Sequence, residues 1–157
     1  MLEFFDFVRN MSFTAITLRL CFAVVCGGLI GVEREYRRRP AGFRTHILIC
    51  LGAAMTTLTS QYLFLERGLF TDMARLGAQV IAGIGFIGAG TIIFQKSENV
   101  VRGLTTAAGV WVVAAIGLAC GGGMYILATA ATILVLAGLE AFNYFLHKLD
   151  KHRNVNS

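Results

Sequence analysis

Charge in this chain is confined to short stretches between long apolar ones, which leaves lipid as the main solvent for its folded form. Five apolar stretches fill most of the 157 residues, and the one dense charge cluster, Glu33-Arg34-Glu35-Tyr36-Arg37-Arg38-Arg39, lies between the first two. A soluble domain instead spreads charge over every exposed face. Charged residues are 15% of this chain and hydrophobic residues 56%, against roughly 25% charged in an average soluble domain.

The stretches run from about Phe13 to Val32, Thr45 to Leu65, Arg75 to Gln95, Leu104 to Cys120 and Met124 to His147. A helix of about 17–25 apolar residues crosses a hydrocarbon core about 30 Å thick. Strands are disfavoured, because polar–apolar alternation is absent and a membrane sheet must close into a barrel. The expected fold is therefore an all-α integral membrane protein, a compact bundle of five transmembrane helices forming one domain over residues 1–157. Gly121-Gly122-Gly123 should make a tight turn between the last two helices. Residues Met1 to Met11 alternate aromatic and charged side chains and should lie at the membrane interface. They lack the basic start of a signal peptide, so the first span is expected to stay in the protein.

Lysine and arginine set the orientation. The first connector holds Arg34, Arg37, Arg38, Arg39 and Arg44; the third holds Lys96 and Arg102; the tail holds Lys148, Lys151 and Arg153. The other side has only Arg9, Arg67 and Arg75. The basic side is thus expected to be cytoplasmic, with the N-terminus outside and the C-terminus inside. The net charge of +5 then serves orientation and contact with the lipid bilayer, not nucleic acid.

Ionisable residues inside spans are costly and usually partnered. Arg19 and Glu140 are two such residues, but they differ in depth by roughly 10 Å or more at 1.5 Å per residue. Arg19 is expected to snorkel outward or meet Asp72 or Glu66, and Glu140 to meet Arg44, Arg102 or Arg34. The inner face then gathers Glu33, Arg34, Glu35, Arg44, His46, Arg102 and Glu140. Two readings stay open for this group: a structural ion-pair network, or a polar site for an ion, a phosphate-bearing ligand or a protein partner.

The third span contains Gly83-Ile84-Gly85-Phe86-Ile87-Gly88-Ala89-Gly90. Its formal GxGxxG is no dinucleotide fingerprint, since no strand-to-helix turn fits inside an apolar helix and no acidic ribose partner follows. Small residues at Ala74, Ala78, Ala82, Gly85 and Ala89 instead make a flat face for close helix packing, as Gly27 and Gly31 do in the first span. Gly83, Gly85 and Gly88 are the packing positions expected here, with self-association into a homo-oligomer as one use. Local unwinding that exposes carbonyls to an ion is the alternative. Cys21, Cys26, Cys50 and Cys120 read as small apolar fillers at helix interfaces, with no metal or cofactor implied.

The runs Arg19-Leu20, Gly28-Leu29-Ile30-Gly31-Val32-Glu33-Arg34-Glu35, Ala41-Gly42-Phe43-Arg44-Thr45-His46, Gly52-Ala53-Ala54, Gly83 to Gly90 and Val101-Arg102-Gly103-Leu104-Thr105-Thr106-Ala107-Ala108, followed by Trp111, resemble the MgtC/SapB membrane protein family. The resemblance covers roughly Arg19 to Gly123, and Gly109 departs from the family's pattern. It implies a multi-pass protein of the bacterial inner membrane, linked to magnesium limitation or stress adaptation. It implies a regulator that binds other membrane proteins such as ATP synthase or a transporter; older naming makes members magnesium transporters. The chain is similar to the short SapB-like members that lack a C-terminal soluble domain.

The residues weigh these functions differently. A magnesium site favours several carboxylates with retained water, whereas Glu140 and Glu33 lie near an excess of arginine that suits an anion or acidic partner. No Ser/His/Asp, HExxH or paired-carboxylate arrangement marks an enzyme. A non-enzymatic regulator is the leading expectation, with an ion transporter or channel as the alternative.

Overall fold

The computed structural model describes residues 12–65, 67, 72–95 and 100–153. Helices α1 (Phe13–Tyr36), α2 (Phe43–Leu65) and α3 (Met73–Gly90) precede a two-stranded hairpin, β1 (Ile93–Gln95) and β2 (Val100–Arg102); α4 (Leu104–Gly121) and α5 (Tyr125–Arg153) follow. Helices α1, α2 and α4 are long and apolar enough to cross a membrane, while α3 and α5 carry shorter apolar runs, Ala74–Gly90 and Tyr125–Ala141. The amphipathic segment expected over Met1 to Met11, and Glu66, lie outside the described residues.

The helix ends follow local chemistry. Ser12 caps α1 by accepting the Ala15 N–H, and Asp72 caps α3 by accepting the Ala74 N–H. Such side chains satisfy amide donors that a helix start leaves open. After α4, the Met124 N–H returns to the Ala119 carbonyl at 2.9 Å and the Gly123 N–H to Cys120 at 3.0 Å. Gly123 takes the left-handed conformation, φ 73°, that this C-terminal motif demands.

Two boundaries correct the sequence expectation. Helix α1 runs past Val32 to Tyr36, so half of the charge cluster is helical and only Arg37 to Gly42 connects. The third helix stops at Gly90, not Gln95, because Ile93 to Gln95 pair antiparallel with Val100 to Arg102. The fold is thus not purely helical. The glycine run up to Gly90 is continuous α-helix, not an unwound segment.

Helix α2 sits at the centre, clasped by glycine-based seams. A Cβ on Gly27 would lie 2.7 Å from Cys50 Cβ, and one on Gly31 would lie 2.8 Å from Phe43 Cα. On the opposite side, Gly117 abuts the Cys50 carbonyl, and Gly121 abuts Ala54. Both pairs are four residues apart, the spacing that lets helix backbones approach closely. Around these seams Ala23, Ile30, Ala54, Val113, Ile116 and Ala119 form the core with Cys26, Cys50 and Cys120. The three thiols come from three helices and meet in this one buried cluster.

Helix α3 packs on α2 and α4 through a narrow stripe that includes Ile84 and Val80, with Gly88 against Ala107. Its small residues Ala74, Ala78, Ala82, Gly85 and Ala89 all face away from the rest of the chain. Nothing lies within 4 Å of a Cβ built on Gly83, Gly85 or Gly90. Among the described residues nothing packs closely at Gly83 or Gly85; Ile84 and Gly88 carry the contact that α3 makes with them.

Candidate functional site

Because α1 continues past Val32, Glu33 and Arg37 stand one turn apart on it. Arg34 is buried, 3% exposed, and its guanidinium is held by the neighbouring Glu33, with Nη2 donating to Oε1 at 2.7 Å. Burying a cation this deeply requires such a partner. Arg37 approaches Glu33 at 3.6 Å and donates to both oxygens of Glu140 on α5, at 2.9 and 3.1 Å. The Glu140 carboxylate raises the pKa of the Arg37 guanidinium above its ordinary value. Arg34, Glu33, Arg37 and Glu140 thus form one alternating chain of charge from α1 to α5. The partner expected for Glu140 was Arg44, Arg102 or Arg34; the extra turn of α1 delivers Arg37 instead. Glu140 is also more than half exposed, not buried.

Glu35 turns away from this chain and accepts the Phe43 N–H at 2.8 Å, capping the start of α2 from eight residues upstream. Gly42 has no side chain because the Glu35 carboxylate occupies that space. One turn into α2, His46 is fully buried and its Nδ1 donates to the Gly42 carbonyl at 2.9 Å. With the proton on Nδ1, Nε2 is a bare acceptor. It is buried with no hydrogen-bond partner among the described residues and faces α4 at Gly109.

The remaining arginines divide. Arg44 is exposed on the first turn of α2. Arg38, Arg39 and Arg102 line a cavity of about 590 Å³ that the N-terminus of α4 closes from below. Arg38 is left-handed, φ 53°, which reverses the chain after α1. Gly103 precedes α4 with φ 93°, and a Cβ there would strike the Thr91 carbonyl. Glycine alone tolerates both conditions, and its place here seats the hairpin against the end of α3.

At the opposite end, Arg19 does not snorkel outward. It is 1% exposed, and its Nη1 donates to Gln61 Oε1 at 2.7 Å and to the Gly121 carbonyl at 3.1 Å. Tyr125 at the start of α5 also hydrogen-bonds it, and Phe22 packs edge-on against that Tyr125 ring at 5.2 Å. The polar residues predicted for one face therefore fall into three groups at the basic end, with Arg44 apart from them. Arg37, Arg38 and Arg39 were missed as site residues. The signal for Arg37 was its i,i+4 spacing from Glu33, visible once the helix is continued.

Apolar helices packed glycine to backbone, with arginine-rich chemistry gathered at one end, define a small helical membrane protein. The sequence profile of the MgtC family matches residues 20–148, and the chain belongs to that family. It is 43% identical over 136 residues to YhiD of Escherichia coli (strain K12), whose name assigns magnesium transport provisionally; the match covers 84% of this chain and 62% of YhiD. It is 39% identical to SapB of Bacillus subtilis (strain 168), over 88% of this chain and 61% of SapB. It is 44% identical to MgtC of Brucella abortus (strain 2308), over 75% of this chain and 47% of that protein. The chain therefore spans about half to three-fifths of these relatives' lengths. No solved structure matches it.

Proposed function

We propose that this chain is a non-enzymatic regulator or accessory protein of the bacterial inner membrane, tied to magnesium limitation or stress adaptation, that acts by contacting other membrane proteins. In this reading all five helices cross the bilayer as one domain, with the N-terminus outside and the basic end in the cytoplasm. The arginine excess at that end supports the orientation.

The observation that carries the reading is the outward face of α3. Ala78, Ala82, Gly85 and Ala89 are exposed there, beside Phe86 at 85% exposure. Between helices in lipid, van der Waals packing of small residues drives association. A small-residue face that the described residues leave uncovered, with a projecting aromatic ring, suits a helix of another membrane protein, such as a transporter or the ATP synthase.

The test is crosslinking from α3 in native membranes, run beside an ion-flux assay of the purified chain in proteoliposomes. A stoichiometric protein partner without flux supports the regulator. Flux of a specific ion through the chain alone overturns it and favours the second reading, an ion transporter, to which the name of YhiD points.

A further inference from the structure

We propose that Arg38, Arg39 and Arg102, together with the open N-terminus of α4, bind a phosphate group. The arginines at the end of α1 and in the connector after it are of two kinds. Arg34 and Arg37 are already engaged by Glu33 and Glu140. Among the described residues, Arg38 and Arg39 have no carboxylate partner, and both line the same cavity as Arg102. Three guanidinium groups around one cavity make a concentrated positive potential, and guanidinium geometry matches phosphate oxygens.

The floor of the cavity adds donors. Gly103 provides no side-chain cap, and no acidic residue sits in the first turn of α4. The backbone N–H groups of that turn, from Leu104 to Thr106, therefore begin the helix without an intrahelical acceptor. They lie at the positive end of the helix dipole, where an anion is stabilised. Gly103 is held in its left-handed conformation against Thr91, which sets the start of α4 against the end of α3.

A phosphate group here could belong to a soluble ion or to an anionic lipid. Thr105 also lines an apolar groove of about 240 Å³ that includes Ile30, Val112 and Leu134. An acyl chain fits such a surface, which is why the test has two arms. In one, the purified full chain in neutral detergent is dialysed to equilibrium against radiolabelled inorganic phosphate. In the other, phosphatidylglycerol retained by the protein is counted by native mass spectrometry after release from mixed phosphatidylcholine–phosphatidylglycerol nanodiscs.

Arg39→Gln and Arg102→Gln are each expected to weaken binding about tenfold, the size of one charge-assisted hydrogen bond. Arg44→Gln removes the same charge from the same end outside the cavity and should change binding less than about twofold, since exposed charges are screened. Saturable binding in the first arm identifies a soluble phosphate; retention in the second alone identifies a lipid headgroup. The proposal is overturned if the wild-type chain binds in neither arm, or if Arg44→Gln weakens binding as much as Arg39→Gln. If Arg102→Gln disturbs the fold, by elution volume or circular dichroism, the comparison of Arg39 with Arg44 still decides. Failure here leaves the outward face of α3 and its proposed partner untouched.

Discussion

A single nitrogen of Arg37, Nη2, donates to both carboxylate oxygens of Glu140, at 2.9 and 3.1 Å, and so joins the end of α1 to α5 across 103 positions of sequence. Glu140 is 58% exposed and Arg37 34%. Exposed ion pairs contribute little to stability and are screened by salt. Glu140→Gln should therefore fold in normal yield with only a small loss of thermal stability, and that loss should shrink as salt is raised. Melting curves at low and high ionic strength check this; a large salt-independent loss would show that the pair orders α5.

Arg19 is the opposite case. It is buried and gives hydrogen bonds to Gln61 and to the Gly121 carbonyl, which closes α4. Arg19→Met keeps most of the apolar volume but leaves both acceptors unsatisfied. Each orphaned buried group costs about 1–3 kcal/mol, so a loss of about 2–5 kcal/mol is expected. Denaturant titration in detergent measures it.

The glycines of α3 and α4 separate packing from docking. Gly117→Leu drives a side chain into the α2 backbone at Cys50 and should abolish folded yield. A Cβ at Gly85 meets no described atom within 4 Å, so Gly85→Leu should leave the monomer's stability little changed while weakening the crosslink to a membrane partner. Size-exclusion yield and crosslinking in native membranes read the two effects separately.

Gly103→Ala combines a left-handed residue with a clash on the Thr91 carbonyl. Backbone strain of this kind costs about 1–3 kcal/mol before the clash is counted. A destabilisation of at least about 2 kcal/mol is expected, together with loss of phosphate binding. Gly90→Ala, with no neighbour within 4 Å, serves as the control.

Long apolar runs are legible because lipid leaves a chain only the helix or the closed barrel to satisfy its backbone, and these runs do not alternate as barrel strands do. The boundaries were less so. Glu33 to Tyr36 look like connector by composition, yet the hydrogen bonds of α1 continue through them, and that extra turn is what places Arg37 opposite Glu140. Ile93 to Gln95 read as the end of an apolar helix, yet they pair with Val100 to Arg102 in the hairpin that ends α3. Gly117 and Gly121 had the same spacing as Gly27 and Gly31, hidden among the alanines of α4. The role of Glu35 was not readable at all: a carboxylate capping a helix eight residues later depends on the turn between them.

The placement of Arg19 bears on how the protein is made. Synthesis proceeds from the N-terminus, so Arg19 leaves the ribosome 102 residues before the Gly121 carbonyl that receives it. Gln61 is nearer, 42 residues on, and can shield the cation while α1 and α2 are the only helices made. Until α4 arrives, that guanidinium lacks the Gly121 carbonyl that receives it in the finished bundle. In the finished bundle the end of α4 and Tyr125 at the start of α5 both hold α1 through that one guanidinium.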